Sequence, residues 1–142
     1  MITYFDTSIL MKLLIDDEPF RAESERLWVE SDFAVCAEIG YTEARAALAA
    51  VRRTERLTAA ALRTANDELE LLWEQVSVVV VNTELVRAAG DLAEHDALRG
   101  YDAVHLAAAI TCQASVVASA DRQLVAAARR RGFAVAGADV EP

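Results

Sequence analysis

Short apolar runs alternate with longer amphipathic segments along the chain, and this alternation is the feature that most constrains its fold. The apolar runs predict strands at 2–5, 33–36, 76–81, 115–119 and 133–136. Strands separated by helices favour a parallel sheet covered on both faces, with right-handed crossovers between strands. We therefore expect an α/β fold, a three-layer αβα sandwich with a central, mostly parallel sheet of about five strands. At 142 residues the chain would form a single domain over 1–142.

Helical spacing and capping residues set the predicted helix bounds. Thr7 or Ser8 can cap a first helix, Pro19 suits the first turn of a second, and Thr58 can cap a later one. Trp28 and Trp73 are predicted to pack in the core or at an interface rather than to stack on bases. The predicted helices cover 7–15, 19–30, 37–53, 58–75, 83–95, 101–113 and 121–131.

Four acidic residues lie where a metal-dependent nuclease would need them. Asp6 follows the first strand and Asp121 follows the fourth, whereas Glu43 and Asp102 lie within helical patterns. The carboxyl ends of the strands line the ligand crevice of an open α/β sheet. Carboxylates gathered there repel one another unless protons or divalent cations neutralise them, and oxygen ligands of this kind suit Mg²⁺ or Mn²⁺.

The net charge of −9 argues against broad binding to nucleic acid, because affinity for phosphate comes mainly from basic side chains. Two features weaken this objection: bound cations would offset the site carboxylates, and the basic residues are clustered. Lys12 is the only lysine, so the clusters consist of arginine. The planar guanidinium of arginine binds phosphate through two hydrogen bonds and is better suited to it than a lysine ammonium. Both arginine clusters could equally be solvated helix ends. One cluster consists of Arg52, Arg53 and Arg56, and the other of Arg129, Arg130 and Arg131.

The cysteines and the N-terminus indicate the compartment. Cys36 and Cys112 are the only cysteines, and their flanks carry no metal-ligand spacing. They are predicted to be small buried residues in a reducing compartment. The N-terminus lacks the basic stretch of a signal peptide, and no apolar stretch is long enough to span a membrane. We therefore expect a cytoplasmic protein with no membrane association.

Four segments of the chain carry a family resemblance: YFDTS at 4–8, YTEARAAL at 41–48, LRGYDAVHLA at 98–107 and SADRQL at 119–124. The most specific of them are the Asp-Ala-Val-His-Leu-Ala helix and the Ser-x-Asp turn that follows it. Together the four segments resemble the PIN-domain ribonucleases, and most closely the VapC-type toxins of prokaryotic toxin–antitoxin pairs. The resemblance extends over essentially the whole chain.

The resemblance implies a metal-dependent endoribonuclease with an acidic site. That site would consist of Asp6, Glu43, Asp102 and Asp121, supported by the hydroxyls of Thr7, Ser8 and Ser119. Asp6 and Asp121 would share a metal ion and Asp102 would complete its shell. Glu43 could bind a second ion or orient the attacking water. One or two Mg²⁺ ions, with Mn²⁺ as a substitute, would activate that water and stabilise the leaving oxygen.

Each acid also has a purely structural interpretation that is compatible with metal binding. Asp6 and Asp121 could cap the helices that follow them. Asp102 could complement a helix dipole from the first turn. Glu43 could be a surface residue paired with Arg45 on the same helix.

Two further carboxylates lie near enough in sequence to compete for the site. Glu38 precedes Glu43 by five residues, so on a helix the two point about 140° apart and cannot both face one site. The Ala-Arg-Ala-Ala-Leu sequence that follows favours Glu43. Asp96 belongs to a stretch predicted to be solvated, although it could approach the mouth of the site.

The two histidines are predicted to lie outside the site. His105 occupies an apolar neighbourhood, and we interpret it as a packing histidine whose polar atoms are satisfied rather than as a ligand. His95, near a helix end, is predicted to be a surface residue.

Other functions fit the residues less well. A phosphoacceptor receiver domain would need a lysine after a late strand, and a haloacid-dehalogenase-like phosphatase would need an acid where Ser8 stands. A catalytically silent PIN protein that only binds a partner stays open, although it would be free to lose the four acids. A PIN nuclease that processes RNA without being a toxin also stays open.

The resemblance implies partners as well as an activity. We expect an RNA substrate and a homodimer formed through the apolar faces of the helices around residues 40–75. We also expect a small VapB-type antitoxin whose tail places a basic side chain, an arginine, in the acidic cleft. The sequence does not identify the RNA target, because proteins recognise RNA largely by its shape and unstacked bases.

Overall fold

The computed structural model describes residues 1–54 and 56–137, and in these ranges five parallel strands form one sheet. The strands lie side by side in the order β3-β2-β1-β4-β5, and every neighbouring pair is parallel. This confirms the predicted parallel sheet. The strands are β1 (Ile2–Phe5), β2 (Phe33–Ala37), β3 (Val76–Val79), β4 (Val116–Ala118) and β5 (Ala134–Ala136).

Helices connect the strands and cover the sheet. They are α1 (Thr7–Leu14), α2 (Arg21–Glu30), α3 (Ile39–Arg53), α4 (Ala59–Glu74), α5 (Thr83–Asp96), α6 (Gly100–Thr111) and α7 (Arg122–Arg130). Successive strand residues point to opposite faces, so Tyr4 and Phe5 enter different layers. Tyr4 belongs to a core that includes residues of α5, α6 and α7. Phe5 belongs to a second core with residues of α1, α2 and α4. The predicted three-layer αβα architecture is therefore confirmed.

A third apolar cluster joins α1, α3 and α4 beside the sheet. Leu14, Leu48 and Leu69 are buried in it, and Leu48 and Leu69 are fully inaccessible to solvent. The apolar faces of the two helices within 40–75 are thus largely used inside the chain. A homodimer through these helices would have to use the side chains that stay exposed, such as Leu71.

The two tryptophans pack in the core, as predicted. Trp28 contacts Phe5 with ring centroids 5.1 Å apart, and Trp73 contacts Tyr41 at 5.8 Å. Both tryptophans line the cluster around Phe5. Cys36 is also buried there, whereas Cys112 is only partly buried, and both cysteines are free thiols.

Several predicted details of the helix starts, and the predicted end of one strand, were wrong. The helix starts differ because capping depends on local backbone geometry. Asp6 caps α1 in place of Thr7 or Ser8, and it accepts hydrogen bonds from the backbone of the first turn. The second helix begins at Arg21 rather than Pro19, after Phe20 adopts a left-handed conformation with φ 61°. The valine run at 76–81 forms a strand only as far as Val79, and this strand lies at the edge of the sheet.

Gly40 is the helical glycine whose missing side chain matters most for packing. A Cβ at this position of α3 would collide with the Cys36 sulfur and press on the Trp73 ring. Gly40→Ala is therefore expected to lower the free energy of unfolding by about 1–3 kcal/mol, the usual range for overpacking.

Gly90 provides the matched control for this prediction. It also lies in a helix, α5, but a Cβ there meets no atom within 4 Å. Gly90→Ala should raise the free energy of unfolding by up to about 1 kcal/mol, because alanine favours the helix. Urea denaturation of both variants tests the pair, and equal effects would contradict the packing argument.

None of the helices in the described ranges has both the length and the apolar character needed to cross a membrane.

Candidate functional site

Asp6 lies at the carboxyl end of the central strand, and hydroxyl groups hold both of its carboxylate oxygens. Ser8 Oγ donates to Oδ1, and Ser119 Oγ donates to Oδ2 over 2.6 Å. The backbone N–H of Ser8 also donates to Oδ1, at 3.0 Å. Asp6 is 4% exposed, and this burial raises its pKa, although the neighbouring His105 and the two hydroxyl hydrogen bonds oppose the rise.

The same two serines connect Asp6 to the turn that carries Asp121. Ser119 Oγ accepts a hydrogen bond from the Asp121 backbone N–H at 2.9 Å, and Ser8 Oγ accepts one from the Ala120 N–H at 2.8 Å. Strands β1 and β4 are parallel neighbours, with Phe5 opposite Ala118. The turns after them therefore meet at one edge of the sheet.

Asp102 and Asp121 come together through an arginine that the sequence analysis did not single out. Arg99 Nε donates to Asp102 Oδ2 at 3.0 Å, and Arg99 Nη2 donates to Asp121 Oδ2 at 2.7 Å. Arg99 lies three residues before Asp102, at the start of α6, and this spacing on one helical turn was the only signal in the sequence. Its side chain is 55% exposed, so it binds the two carboxylates from the solvent side.

The carboxylates around Arg99 also interact with one another. Burial raises the pKa of Asp102, and the negative charges of Asp121 and Asp6 act in the same direction. The Arg99 guanidinium opposes this rise. The arrangement therefore holds three negative groups close together with one internal cation.

Glu43 approaches from α3 and is held by Thr7 and His105. Thr7 Oγ1 donates to Glu43 Oε1 at 3.0 Å, and His105 Nε2 lies 2.5 Å from the same oxygen. The alternative pairing of Glu43 with Arg45 is wrong, since Arg45 instead donates to the Tyr41 hydroxyl.

His105 is the buried histidine with satisfied polar atoms that the sequence predicted, and one of its partners is a site carboxylate. It is buried at 2% exposure, as expected, but its ring bridges Tyr4 and Glu43. Periodicity could not reveal this contact, because Glu43 lies 62 residues away in sequence.

The two competing carboxylates lie outside this cluster. Glu38 Oε2 accepts a hydrogen bond from the Val81 backbone N–H at 3.3 Å, beyond the end of β3. Asp96 lies at the end of α5 and binds Arg131 and Arg130 at the far end of α7 from Asp121. His95 is exposed, as predicted.

The arginine clusters largely behave as helix ends. Arg52 and Arg53 occupy the last turn of α3, and Arg56 pairs with Asp17 and Glu18.

The ion pair of Asp96 makes stability depend on pH. Hydrogen bonds from Arg131, at 3.1 and 2.8 Å, lower the pKa of Asp96 below its ordinary value. An acid with a lowered folded-state pKa stabilises the fold above its unfolded pKa of about 3.9, and that stabilisation disappears as the pH falls through the folded value.

Asp96→Asn is therefore expected to lower the free energy of unfolding by about 1–2 kcal/mol at pH 7, a range reduced because Arg131 is partly exposed. The difference from the unmodified chain should shrink towards zero below about pH 4. Urea denaturation between pH 3 and pH 7 measures it. A difference that does not change with pH would contradict the ion-pair explanation.

The donor set fits a hard divalent cation, although the side chains are not arranged around one. Among the described residues, no three His, Cys, Asp or Glu side chains lie close enough to hold one metal ion. Each carboxylate is instead turned towards a protein donor: Asp6 towards serines, Asp102 and Asp121 towards Arg99. The excess negative charge and the oxygen ligands suit Mg²⁺ or Mn²⁺. Binding of the ion requires that the Arg99 guanidinium move away from the carboxylates of Asp102 and Asp121.

Comparisons with known proteins agree with the fold and the motifs. A family model described as the PIN domain matches residues 3–130. Ribonuclease VapC45 of Mycobacterium tuberculosis (strain CDC 1551 / Oshkosh) is 38% identical to the chain over 143 residues, and the alignment covers 99% of each protein.

Solved structures extend the comparison to three dimensions. Mycobacterium tuberculosis VapC20, described as a Sarcin-Ricin loop cleaving toxin, matches with a TM-score of 0.70 at 20% identity and 99% coverage of both chains. VapBC2 from Rickettsia felis, bound to a DNA fragment from its promoter, matches with a TM-score of 0.66 at 12% identity, over 98% of this chain and 100% of that one. At these identities the likeness shows a shared fold.

Proposed function

The chain belongs to the PIN-domain family as a VapC-type ribonuclease, and we propose that it is an endoribonuclease toxin that cuts cellular RNA with the help of Mg²⁺. The observation that carries this proposal is that Asp6, Asp102 and Asp121 lie at the same edge of the sheet, linked to one another through Ser119 and Arg99. Burial makes Asp6 and Asp102 costly to keep charged without a cation, and at Asp102 the negative charges of Asp121 and Asp6 add to that cost. A divalent ion between them would remove that cost.

The residues divide the chemistry among themselves. Asp6, Asp102 and Asp121 would hold the ion, with Ser8 and Ser119 fixing the orientation of Asp6. Bound Mg²⁺ supplies an activated water and charge stabilisation at the phosphate. Mn²⁺ offers the same kind of coordination and could replace it.

Glu43 is suited to a role beside the ion rather than within its first set of ligands. Thr7 and His105 occupy its Oε1, while its Oε2 has no hydrogen-bond donor in the described part of the chain. The side chain is 29% exposed, so Oε2 can reach water. We assign Glu43 to orienting the attacking water or to binding a second ion.

Cleavage of total cellular RNA by purified, partner-free protein tests this function. Discrete fragments are expected with Mg²⁺ or Mn²⁺; they should disappear with EDTA and return when excess Mg²⁺ is added. Sequencing the fragment ends would identify the target. Cleavage that persists in EDTA would contradict the metal mechanism.

Absence of cleavage by folded protein would favour a catalytically silent PIN protein. Cleavage without growth arrest on expression would favour a nuclease that processes RNA in the cell. Both outcomes would overturn the toxin assignment.

We also propose a cognate VapB-type antitoxin, a homodimer and a cytoplasmic location, where RNA substrates are available. Toxin–antitoxin complexes among the structural neighbours support the antitoxin, and the acidic cleft favours an inhibitor that inserts an arginine. Light scattering should give twice the 15.4 kDa chain mass, and the product of the adjacent gene should abolish cleavage. A monomer at high concentration would contradict the dimer.

A further inference from the structure

A chain of hydrogen bonds runs through the buried layer behind Glu43 and connects two strands, β1 and β2, with two helices, α3 and α6. The Ala37 backbone N–H donates to the Tyr4 hydroxyl at 3.0 Å, and that hydroxyl lies 2.6 Å from His105 Nδ1. His105 Nε2 then reaches Glu43 Oε1. Tyr4 is fully buried and His105 is 2% exposed, so the Tyr4 bonds to Ala37 and His105 are shielded from water.

The two ends of this chain determine which atoms donate next to them. The Ala37 N–H can only donate, so the Tyr4 oxygen accepts from it, and the Tyr4 hydroxyl proton can be donated to His105. A carboxylate can only accept, so His105 Nε2 must carry the proton that faces Glu43. In the neutral ring, Nδ1 then lacks a proton and accepts from Tyr4.

The consequence for Glu43 is that one oxygen is immobilised and the other is left available. Oε1 receives two donors, Thr7 Oγ1 and His105 Nε2. These donors come from α1 and α6, so they fix both the position and the rotation of the carboxylate. A side chain of α3 that is partly open to solvent would otherwise sample several rotamers.

We propose that His105, held by Tyr4, is a positioning residue that orients Glu43 for RNA cleavage. This inference rests on the proposed ribonuclease function. It assigns His105 a role through its Nε2–H rather than through the space its ring fills. Buried ring nitrogens need partners in any fold, but here the partner of Nε2 is a site carboxylate that is partly open to solvent.

Two amide variants separate the two ring contacts. In His105→Gln the amide nitrogen can take the place of Nε2 and still donate to Glu43. In His105→Asn the shorter amide takes the place of Nδ1, so it keeps the Tyr4 contact and loses the Glu43 contact. Both replacement side chains are polar and are similar in size to histidine or smaller. Thermal unfolding of each variant shows whether it is folded.

His105→Asn is expected to lower kcat about tenfold with little change in KM. A tenfold loss is the lower end of the range that residues orienting a metal site contribute. His105→Gln should stay within about threefold of the unmodified protein. Equal activity of the two folded variants, whether both high or both low, would overturn the proposal.

Nitrogen-15 NMR of the histidine ring tests the orientation without any cleavage. The metal-free protein should show a proton on Nε2 of His105, and Glu43→Gln should shift that resonance. A bare Nε2 would overturn the inference even if RNA is cleaved. If the unmodified protein cleaves no RNA but the Nε2 proton is present, the ribonuclease function fails while the positioning of Glu43 stands.

Discussion

Asp6→Asn is expected to lower the rate of RNA cleavage by more than about 100-fold. Even residues outside the ligand shell of a metal typically contribute 10- to 100-fold, and Asp6 would contact the ion itself. Asparagine keeps the shape of the side chain, and its amide group can satisfy Ser119 and the first turn of α1 in place of the carboxylate.

The fold should tolerate this change well. Burial raises the pKa of Asp6, so the charged form destabilises the metal-free protein at neutral pH, and removing the charge relieves that cost. The melting temperature of metal-free Asp6→Asn should therefore equal or exceed that of the unmodified chain. Mg²⁺ should raise the melting temperature of the unmodified chain and not that of the variant.

Asp16→Asn is the matched control for Asp6→Asn. Asp16 is fully exposed and pairs only at the surface with Arg21, so its replacement removes the same charge far from the site residues. Its cleavage rate should not change. If Asp6→Asn cleaves RNA at the same rate as the protein without the substitution, the assigned site is ruled out.

Arg99→Gln is expected to tighten Mn²⁺ binding about 10- to 100-fold. Arg99 now holds the carboxylates of Asp102 and Asp121, and a divalent ion must displace it to use them. Removing the Arg99 charge removes this competition, and because the side chain is exposed to solvent, screening limits the gain to about one or two factors of ten.

Isothermal titration calorimetry with Mn²⁺ measures this change without any RNA. Arg99→Lys keeps the charge and should bind Mn²⁺ nearly as weakly as the unmodified protein. Arg26→Gln removes a positive charge from exposed α2 and controls for net charge. Unchanged or weaker binding by Arg99→Gln would show that Arg99 does not compete with the metal.

The overall fold was accessible from the sequence because its signals are local. Each strand carries its own apolar run, and alternation with helices constrains the topology before any contact is known. The location of Asp6 and Asp121 followed from the same logic, since both come directly after strands. Their meeting required only that the first and fourth strands be neighbours, as they are.

The contacts of the site were less accessible because they depend on distant residues. His105 meets Glu43 across 62 residues and Tyr4 across 101, and no periodicity encodes such pairs. Thr7 was expected to support the site, and the acid to which it donates is the distant Glu43 rather than the adjacent Asp6. Arg99 looked like an ordinary surface residue until the turn carrying Asp121 was placed beside it.

Helix starts were missed for a related reason. Phe20 enters α2 through a left-handed conformation without a side-chain cap, which no residue preference predicts for phenylalanine. Asp6 was considered both as a cap and as a ligand, and it does cap α1. The capping hydrogen bonds go to Oδ1, whereas Oδ2 accepts a hydrogen bond from Ser119. Capping of α1 is therefore compatible with metal binding by the same carboxylate.

The most direct test of the account is a crystal structure with Mn²⁺, in which anomalous scattering locates the ion. We predict a peak between the carboxylates of Asp6, Asp102 and Asp121, with Arg99 displaced from at least one of its two partners. The same peak should be absent from Asp6→Asn. No peak at these carboxylates in crystals of protein that cleaves RNA would contradict the proposed metal site.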